Sequence, residues 1–309
     1  MPEPLLIAVM GPTASGKTTL AIELARHYGT SVLSFDSRQF YRGADIGTAK
    51  PTAEELAEVE HHFISHLHPD RSYTAADFER DALHRAEQTF RKNNVLLAAG
   101  GTGFYFQVLE KGLDEMPEVS ESIRQEARHI YRDRGLSGLQ QEVKTRDTAY
   151  YESCDTANHV RLLRALELML ASGKKVSELR SGKHQKRPFR VMKIMRGDFS
   201  EAYRAEIYER IEKRVRAMWS AGLLAEARQL LPYKEYQSMQ TVGYRECFAH
   251  LEGRISESEC IEQIIVHTRQ YAKRQFTWLK KEQGLKLFPA ADTAAIIQAI
   301  NQEMKEEQC

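Results

Sequence analysis

LLIAVMGPTASGKTTL, residues 5–20, decides the fold. Six apolar residues run unbroken to Gly11, as in a strand buried on both faces, and helical apolar spacing resumes at Thr18 and stops at Gly29. Between them, Gly11-Pro12-Thr13-Ala14-Ser15-Gly16-Lys17-Thr18 fits G-x-x-x-x-G-K-[ST] in the strand–loop–helix setting the motif requires. The glycines let backbone N–H groups turn toward phosphate oxygens, Lys17 adds a positive charge, and the Thr18 hydroxyl is placed for Mg²⁺. A di- or triphosphate ligand follows. The motif leaves open which compound carries it.

Outward from the cradle, SVLSF (31–35) reads as a second strand ending at Asp36, 53–62 as a helix, and HFISHL (62–67) as a short strand. Residues 74–94 read as an amphipathic helix with Thr74 as N-cap and Asp77 at N3, and VLLAAGG (95–101) as a third strand ending on glycines. This alternation predicts a parallel sheet with crossover helices. From Leu113 to about Arg187 the pattern is helical throughout. VMKIMRG (191–197) then restores a strand, followed by a long helix over 203–222, a last strand over 284–290 and a helix with a polar tail over 292–309. The expected fold class is α/β, a P-loop kinase-like parallel-sheet core over 1–114 and 189–309, with an all-helical insertion domain at 115–188.

Composition restricts the setting. The 309 residues are 42% hydrophobic and 28% charged, with 44 Lys and Arg against 43 Asp and Glu, so any polyanion footprint has to be local. Cys154, Cys247, Cys260 and Cys309 have neither CxxC nor Cys/His spacing, which suits a reducing compartment and no zinc site. The first residues lack a basic leader, and no apolar run reaches the ~18 residues of a membrane span. A soluble, cytoplasmic protein with no membrane partner is expected.

In DSRQFYRGADIGTAKP (36–51), Asp36 stands at a strand's carboxyl end, the rim where open α/β sheets bind ligands. An aspartate there can simply form a turn. However, the later strand ends AAGGTGFYF without the metal-holding acid of an ATP hydrolase, and Ser37, Arg38, Gln39, Tyr41 and Arg42 suit a base and its backbone. Asp45, Thr48 and Lys50 are expected near the phosphates. GGTGFYF (100–106) adds backbone donors and Thr102, with at least two of its three aromatics read as core. Over 159–188, Arg161, Arg164, Lys174, Lys175, Arg180, Lys183, Lys186 and Arg187 face only Glu167 and Glu178, a one-signed excess that reads as a polyanion footprint. RQYAKRQFTWLKK (269–281) interleaves cations with Tyr271, Phe276 and Trp278, which favours RNA over duplex DNA.

GPTASGKT, DSRQFYRGADIGTAKP, YTAADFERDA, GGTGFYF, RLLRALE, RIEKRV, QTVGYRE and TRQYAKRQFTWL occur in that order, and together they resemble the bacterial tRNA dimethylallyltransferases nearly end to end. The resemblance implies transfer of a five-carbon unit from dimethylallyl diphosphate to the exocyclic amine of the adenine 3′ of the anticodon, in tRNAs reading codons that begin with U. It implies Mg²⁺ as cofactor, held near Thr18, and no ATP hydrolysis. Eukaryotic relatives carry a zinc-finger extension that this sequence does not show, and a monomer is expected. By the same resemblance the catalytic group is Asp36, Lys17, Thr18 and Arg214, with Asp36 as general base. It carries tRNA contacts onto Asp36, Ser37, Arg38, Gln39, Thr102 and Arg124, and onto Val160, Arg161, Leu162, Leu163 and Arg164. Further contacts fall at Gln240, Thr241, Val242, Gly243, Tyr244 and Arg245, and at Lys273, Arg274, Gln275, Phe276, Thr277, Trp278, Leu279 and Lys280. The insertion would grip the anticodon stem-loop. Two other readings compete: a small-molecule kinase, which would turn over ATP, and a nucleotide-switched RNA-binding protein, which would give no product.

Overall fold

The structure, a computed structural model, describes residues 3–180, 185–289 and 292–305. The chain divides into two compact units, 1–111 with 187–309, and 112–186, where the sequence reading put the insertion at 115–188.

The first unit is built on one sheet. Its first half runs β1 (Leu5–Met10), α1 (Lys17–Tyr28), β2 (Val32–Ser34), α2 (Ala53–Glu58), β3 (His61–His62), α3 (Ala75–Phe90), β4 (Val95–Ala99) and α4 (Gly103–Lys111). The second unit contributes α5 (Glu121–Arg146), α6 (Thr148–Ser153), α7 (His159–Ser172) and α8 (Val176–Leu179). The chain then returns as β5 (Arg190–Arg196), α9 (Glu201–Ser220), α10 (Leu223–Leu230), α11 (Tyr244–Leu251), α12 (Glu257–Leu279), β6 (Leu285–Phe288) and α13 (Thr293–Lys305). Strand order is β3-β2-β4-β1-β5-β6, and every pairing is parallel. After β1 the chain moves outward to β2 and β3, returns to insert β4 beside β1, and crosses to β5 on the other side. Strand order therefore reverses at β1, the position where such sheets bind ligands beyond the strands' carboxyl ends.

The period-2 geometry of a strand explains why LLIAVM is apolar throughout. Leu6, Ala8 and Met10 enter the core on one face of the sheet, and Leu5, Ile7 and Val9 the core on the other. On α3, Thr74 accepts from the Asp77 N–H while Asp77 accepts from the Thr74 N–H, the reciprocal cap its sequence predicts.

HFISHL departs from expectation. Only His61 and His62 pair with β2, because Phe63 and Ser65 take left-handed φ values of 65° and 50° and turn the chain away. Leu67 then makes an isolated bridge to Tyr41.

The helical unit has its own core, in which Ala127, Leu139 and Val143 of α5 meet Leu162, Ala165, Leu166 and Met169 of α7. Gly135, at φ 61° and ψ −161°, kinks α5. Asp147 is buried and ties α6 to α8, accepting from the Tyr150 N–H at 3.0 Å and from the Ser177 N–H and hydroxyl at 2.8 and 2.9 Å. Burial alone would push its carboxyl up, but those donors outweigh it and hold the carboxyl below the usual aspartate range.

Candidate active site

Three turns meet at the carboxyl ends of β1, β2 and β4, and each comes directly from its sequence. After β1, Gly16 adopts φ 78° at the N-cap of α1, a left-handed conformation that suits glycine. The loop of 11–16 thereby curls over the start of α1, with its Thr13 and Ser15 N–H groups held by Gln275 and by the Pro12 carbonyl. Lys17 donates to the Pro12 carbonyl at 3.4 Å and holds its ammonium within the loop. Burial lowers its pKa to about 8, assisted by the neighbouring Arg214 and Arg38 cations and opposed by Asp36. Arg214 reaches over from α9 and donates to the Thr13 hydroxyl at 3.4 Å, with burial lowering its pKa and Asp36 opposing.

After β2, Asp36 does form a turn, but with one oxygen only. Its Oδ1 accepts from the Arg38 N–H at 3.2 Å. Oδ2 stands beside the bare Gly101, where a Cβ would lie 3.4 Å away. One oxygen therefore shapes the loop, and the residue also lines a cavity. After β4, Thr102 ties this turn to the third, its hydroxyl accepting from the Ser37 N–H at 3.1 Å and lying 3.2 Å from the Ser37 hydroxyl.

These turns frame a cavity of about 250 Å³. Its polar end is lined by Thr13, Lys17, Thr18, Asp36, Arg38 and Arg214, and its walls continue through Ile211, Val215, Met218, Leu223, Val242 and Ile264. The 11–18 loop and these apolar side chains thus line one cavity, together with polar residues such as Ser34, Gln39, Thr48 and Thr268. Where an ATP hydrolase would place a metal-holding acid after β4, the chain has Gly100 and Gly101. A Cβ at Gly100 would approach the Phe35 ring within 2.5 Å, so the turn has no room for an acidic side chain.

The IPP transferase family model matches residues 39–282. A tRNA dimethylallyltransferase of Flavobacterium psychrophilum is 39% identical over 307 residues, covering 97% of this chain and 99% of its own. One of Christiangramia forsetii is 40% identical over 283 residues, 92% of either chain. Among solved structures, the tRNA isopentenylpyrophosphate transferase of Bacillus halodurans aligns with a TM-score of 0.72 at 30% identity, over 99% of this chain and 98% of that one. A eukaryotic dimethylallyltransferase acting on tRNA reaches 0.81 at 23% identity, over 98% of this chain and 80% of that one, and speaks to the fold alone. This chain belongs to the IPP transferase family.

Several of the expected contact residues also hold the fold together. Lys50 lines the cavity, and its ammonium donates to the Tyr41 carbonyl, Asp45 and the Ser65 hydroxyl, which uses all three protons. The Thr48 hydroxyl is likewise turned inward, to the Ala44 carbonyl. Gln39 accepts from Ser34 and donates to the Ala49 carbonyl, so it pins the 48–49 loop. The Gln275 amide is used at both ends, accepting from the Thr13 N–H at 2.8 Å and donating to the Gly101 carbonyl at 2.9 Å. Leu162, Tyr244, Phe276 and Leu279 are fully or almost fully buried, Thr241 and Val242 nearly so, and Trp278 packs on Gly103. Their side chains carry the elements rather than face solvent.

Apart from Val160, the exposed positions of those same runs are polar. Lys273, Arg274, Thr277 and Lys280 line the outer face of α12, Gln240 and Arg245 flank the buried 241–244, and Arg161 and Arg164 stand out from α7 beside Val160. Arg124 is exposed on α5, 4.0 Å from Glu121. Arg187 leaves the footprint altogether: its guanidinium is buried, bonded to Glu79 and to the Val108 and Leu109 carbonyls. Lys183 lies outside the described residues. Of the three aromatics after β4, Phe106 is buried and Tyr105 partly so, while Phe104 is exposed.

Sequence reasoning missed Glu226. Its carboxylate accepts from the Asp45, Ile46 and Gly47 N–H groups at 2.8–2.9 Å and from the Tyr244 hydroxyl at 2.6 Å, fixing the 44–50 loop along the cavity. No local pattern marks it, because the loop and the helix that meet there are far apart in sequence.

The donor set beside the cradle suits a hard cation shared with a phosphate. Thr18 and Asp36 present oxygens there, and no group of three or more His, Cys, Asp or Glu among the described residues forms a protein-only metal cage. Mg²⁺ prefers such sites, completing its shell with phosphate oxygens and water. No helix among the described residues is long and apolar enough to cross a membrane.

Proposed function

We propose that the protein binds dimethylallyl diphosphate with its diphosphate in the 11–18 cradle and its five-carbon tail in the apolar recess, and transfers that tail to N6 of an adenine next to a tRNA anticodon. The transfer of a dimethylallyl group to tRNA is the activity of the family. The choice of donor and the residue roles rest on one observation: a phosphate cradle that continues directly into walls of Ile211, Val215, Met218, Leu223 and Ile264. Such walls suit a hydrocarbon tail, and polar residues such as Ser34, Gln39, Thr48 and Thr268 line the rest of the same cavity.

An adenine amine is a weak nucleophile because its lone pair is delocalised into the ring. In the reaction, N6 attacks C1 of the dimethylallyl group, the C1–O bond breaks, and the electron pair leaves with diphosphate. The N6 proton passes to Asp36 Oδ2, the oxygen the turn leaves open. Negative charge building on the leaving group is met by Lys17, the cradle N–H groups and Arg214, already in position before the reaction. Mg²⁺, held by Thr18 and the diphosphate, would add further charge compensation there. The adenine has to leave the loop stack to reach a carboxylate that lines the cavity. The exposed cations of α7 and those of α12 supply the sequence-independent attraction for tRNA phosphates.

Incubation with radiolabelled dimethylallyl diphosphate, Mg²⁺ and unmodified tRNA tests this reading. Label should enter tRNA as isopentenyladenosine next to the anticodon, with release of diphosphate. ATP turnover on a small acceptor would support the kinase reading instead, and nucleotide-dependent tRNA binding with no labelled product would support the RNA-binding switch.

A further inference from the structure

Arg38 stands on the same turn as Asp36 and makes no ion pair among the described residues. Its guanidinium carbon sits over an aromatic neighbour instead, 3.9 Å from the centroid of the Tyr271 ring. Tyr271 is itself held by its hydroxyl, which donates to the Gly101 carbonyl at 3.3 Å. Burial and the nearby Asp36 push that phenol up to about 12, so it remains a neutral donor. Arg274, one turn along α12, approaches the same ring at 5.8 Å. Both Arg38 and Tyr271 line the cavity that contains Asp36. A guanidinium with one face on a ring has its other face left for a second planar group, and arginine planes stack on nucleobases.

We infer that Tyr271 is a positioning residue: it holds Arg38 flat as one wall of a slot into which the target adenine slides, with its exocyclic amine toward Asp36 Oδ2. The inference rests on the proposed function and adds to it how the base is oriented. The wall and the proton acceptor are coupled, because the Arg38 N–H anchors Asp36 through Oδ1. Arg38 acts on the base, and Tyr271 acts through Arg38.

The test measures steady-state kinetics on an anticodon stem-loop for Tyr271→Leu, Arg38→Lys, the double variant and Tyr271→Phe, with the wild-type enzyme in the same assay. Arg38→Lys keeps the charge and loses the plane, and Tyr271→Leu removes the ring beneath it. Each should lower kcat/KM for the stem-loop by about tenfold, the scale of one lost base stack, and leave KM for dimethylallyl diphosphate within about twofold. The double variant should be no worse than the poorer single variant, because both remove the same wall. Tyr271→Phe keeps the ring and should recover most of the loss. A rise in the diphosphate KM would assign Arg38 to the leaving group and overturn the slot, as would additive losses or a Tyr271→Phe variant as poor as Tyr271→Leu. A wild-type enzyme that transfers nothing to the stem-loop or to whole tRNA would overturn the proposed function itself, a result distinct from any of these.

Discussion

On the proposed mechanism the Asp36 carboxylate serves two purposes, turn former and base, and a substitution can separate them. Asp36→Asn keeps an oxygen for the Arg38 N–H but cannot take a proton, so the turn survives and the base does not. Transfer should fall by about 10²–10⁴-fold while the affinities for tRNA and diphosphate change far less. Single-turnover rates combined with filter-binding titrations separate the two, and a loss below tenfold would leave Asp36 as a turn former only. Lys17 makes a prediction about pH. Its ammonium, lowered to about 8 chiefly by burial, has to be charged to hold a diphosphate, and a bound diphosphate in turn favours the charged form. KM for dimethylallyl diphosphate should therefore be flat from about pH 7 to 8 and then climb about tenfold per unit as the free enzyme loses its proton. Lys17→Arg, which stays charged throughout, should flatten that climb even where it lowers activity. A Lys17→Arg profile that still rises above about pH 8 would place the titration elsewhere.

Among elements, the decisive tie is between α12 and the two glycine turns. Gln275 comes from a helix far along the chain, yet its amide joins the Thr13 N–H of the cradle to the Gly101 carbonyl beside Asp36. Gln275→Leu fills the same space and leaves both groups without that partner, at a cost of ~1–3 kcal/mol for each group kept from water. The cradle should loosen, with a lower melting temperature and a raised KM for dimethylallyl diphosphate. Gln275→Glu should be worse than Gln275→Leu, because it sets a carboxylate oxygen against the Gly101 carbonyl and a negative charge near the diphosphate. Calorimetry with a diphosphate titration checks the order, and a Glu variant equal to wild type would remove Gln275 from the cradle's support.

At the scale of the molecule, an almost neutral chain has to bind a polyanion, so its cations have to be local. Arg161 and Arg164 stand exposed on α7, while Lys273 and Lys280 stand exposed on α12. Neutralising either pair should weaken tRNA binding and reduce the slope of log K against log salt by ~0.7–0.9 for each phosphate that is no longer neutralised. Binding titrations across a salt series read this directly. An unchanged slope for the α7 pair would make those arginines part of the helical unit's own surface, a role that Arg164 already has through its 3.2 Å ion pair with Glu167.

The extent to which this was legible beforehand follows from distance along the chain. The β1–loop–α1 turn, the Thr74 cap, the apolar β1 and the helical texture of the insertion are set by neighbours within a few residues, where periodicity and backbone geometry act directly, and their structure read correctly from the sequence. HFISHL did not, because its strand pattern was overridden by left-handed turns at Phe63 and Ser65 that only the packed loop holds in place. Likewise Lys50, Gln39, Gln275 and Arg187 looked like ligands for phosphate or RNA by residue type and company. Each is instead tied up within the protein, some of it by residues scores of positions away, because a buried polar group needs a partner and the fold supplies one. Sequence alone thus determined which chemistry the chain carries: a phosphate cradle, a rim carboxylate, a supply of cations. Tertiary structure decided which polar side chains remain open to a substrate, since that depends on which of them the fold has already satisfied.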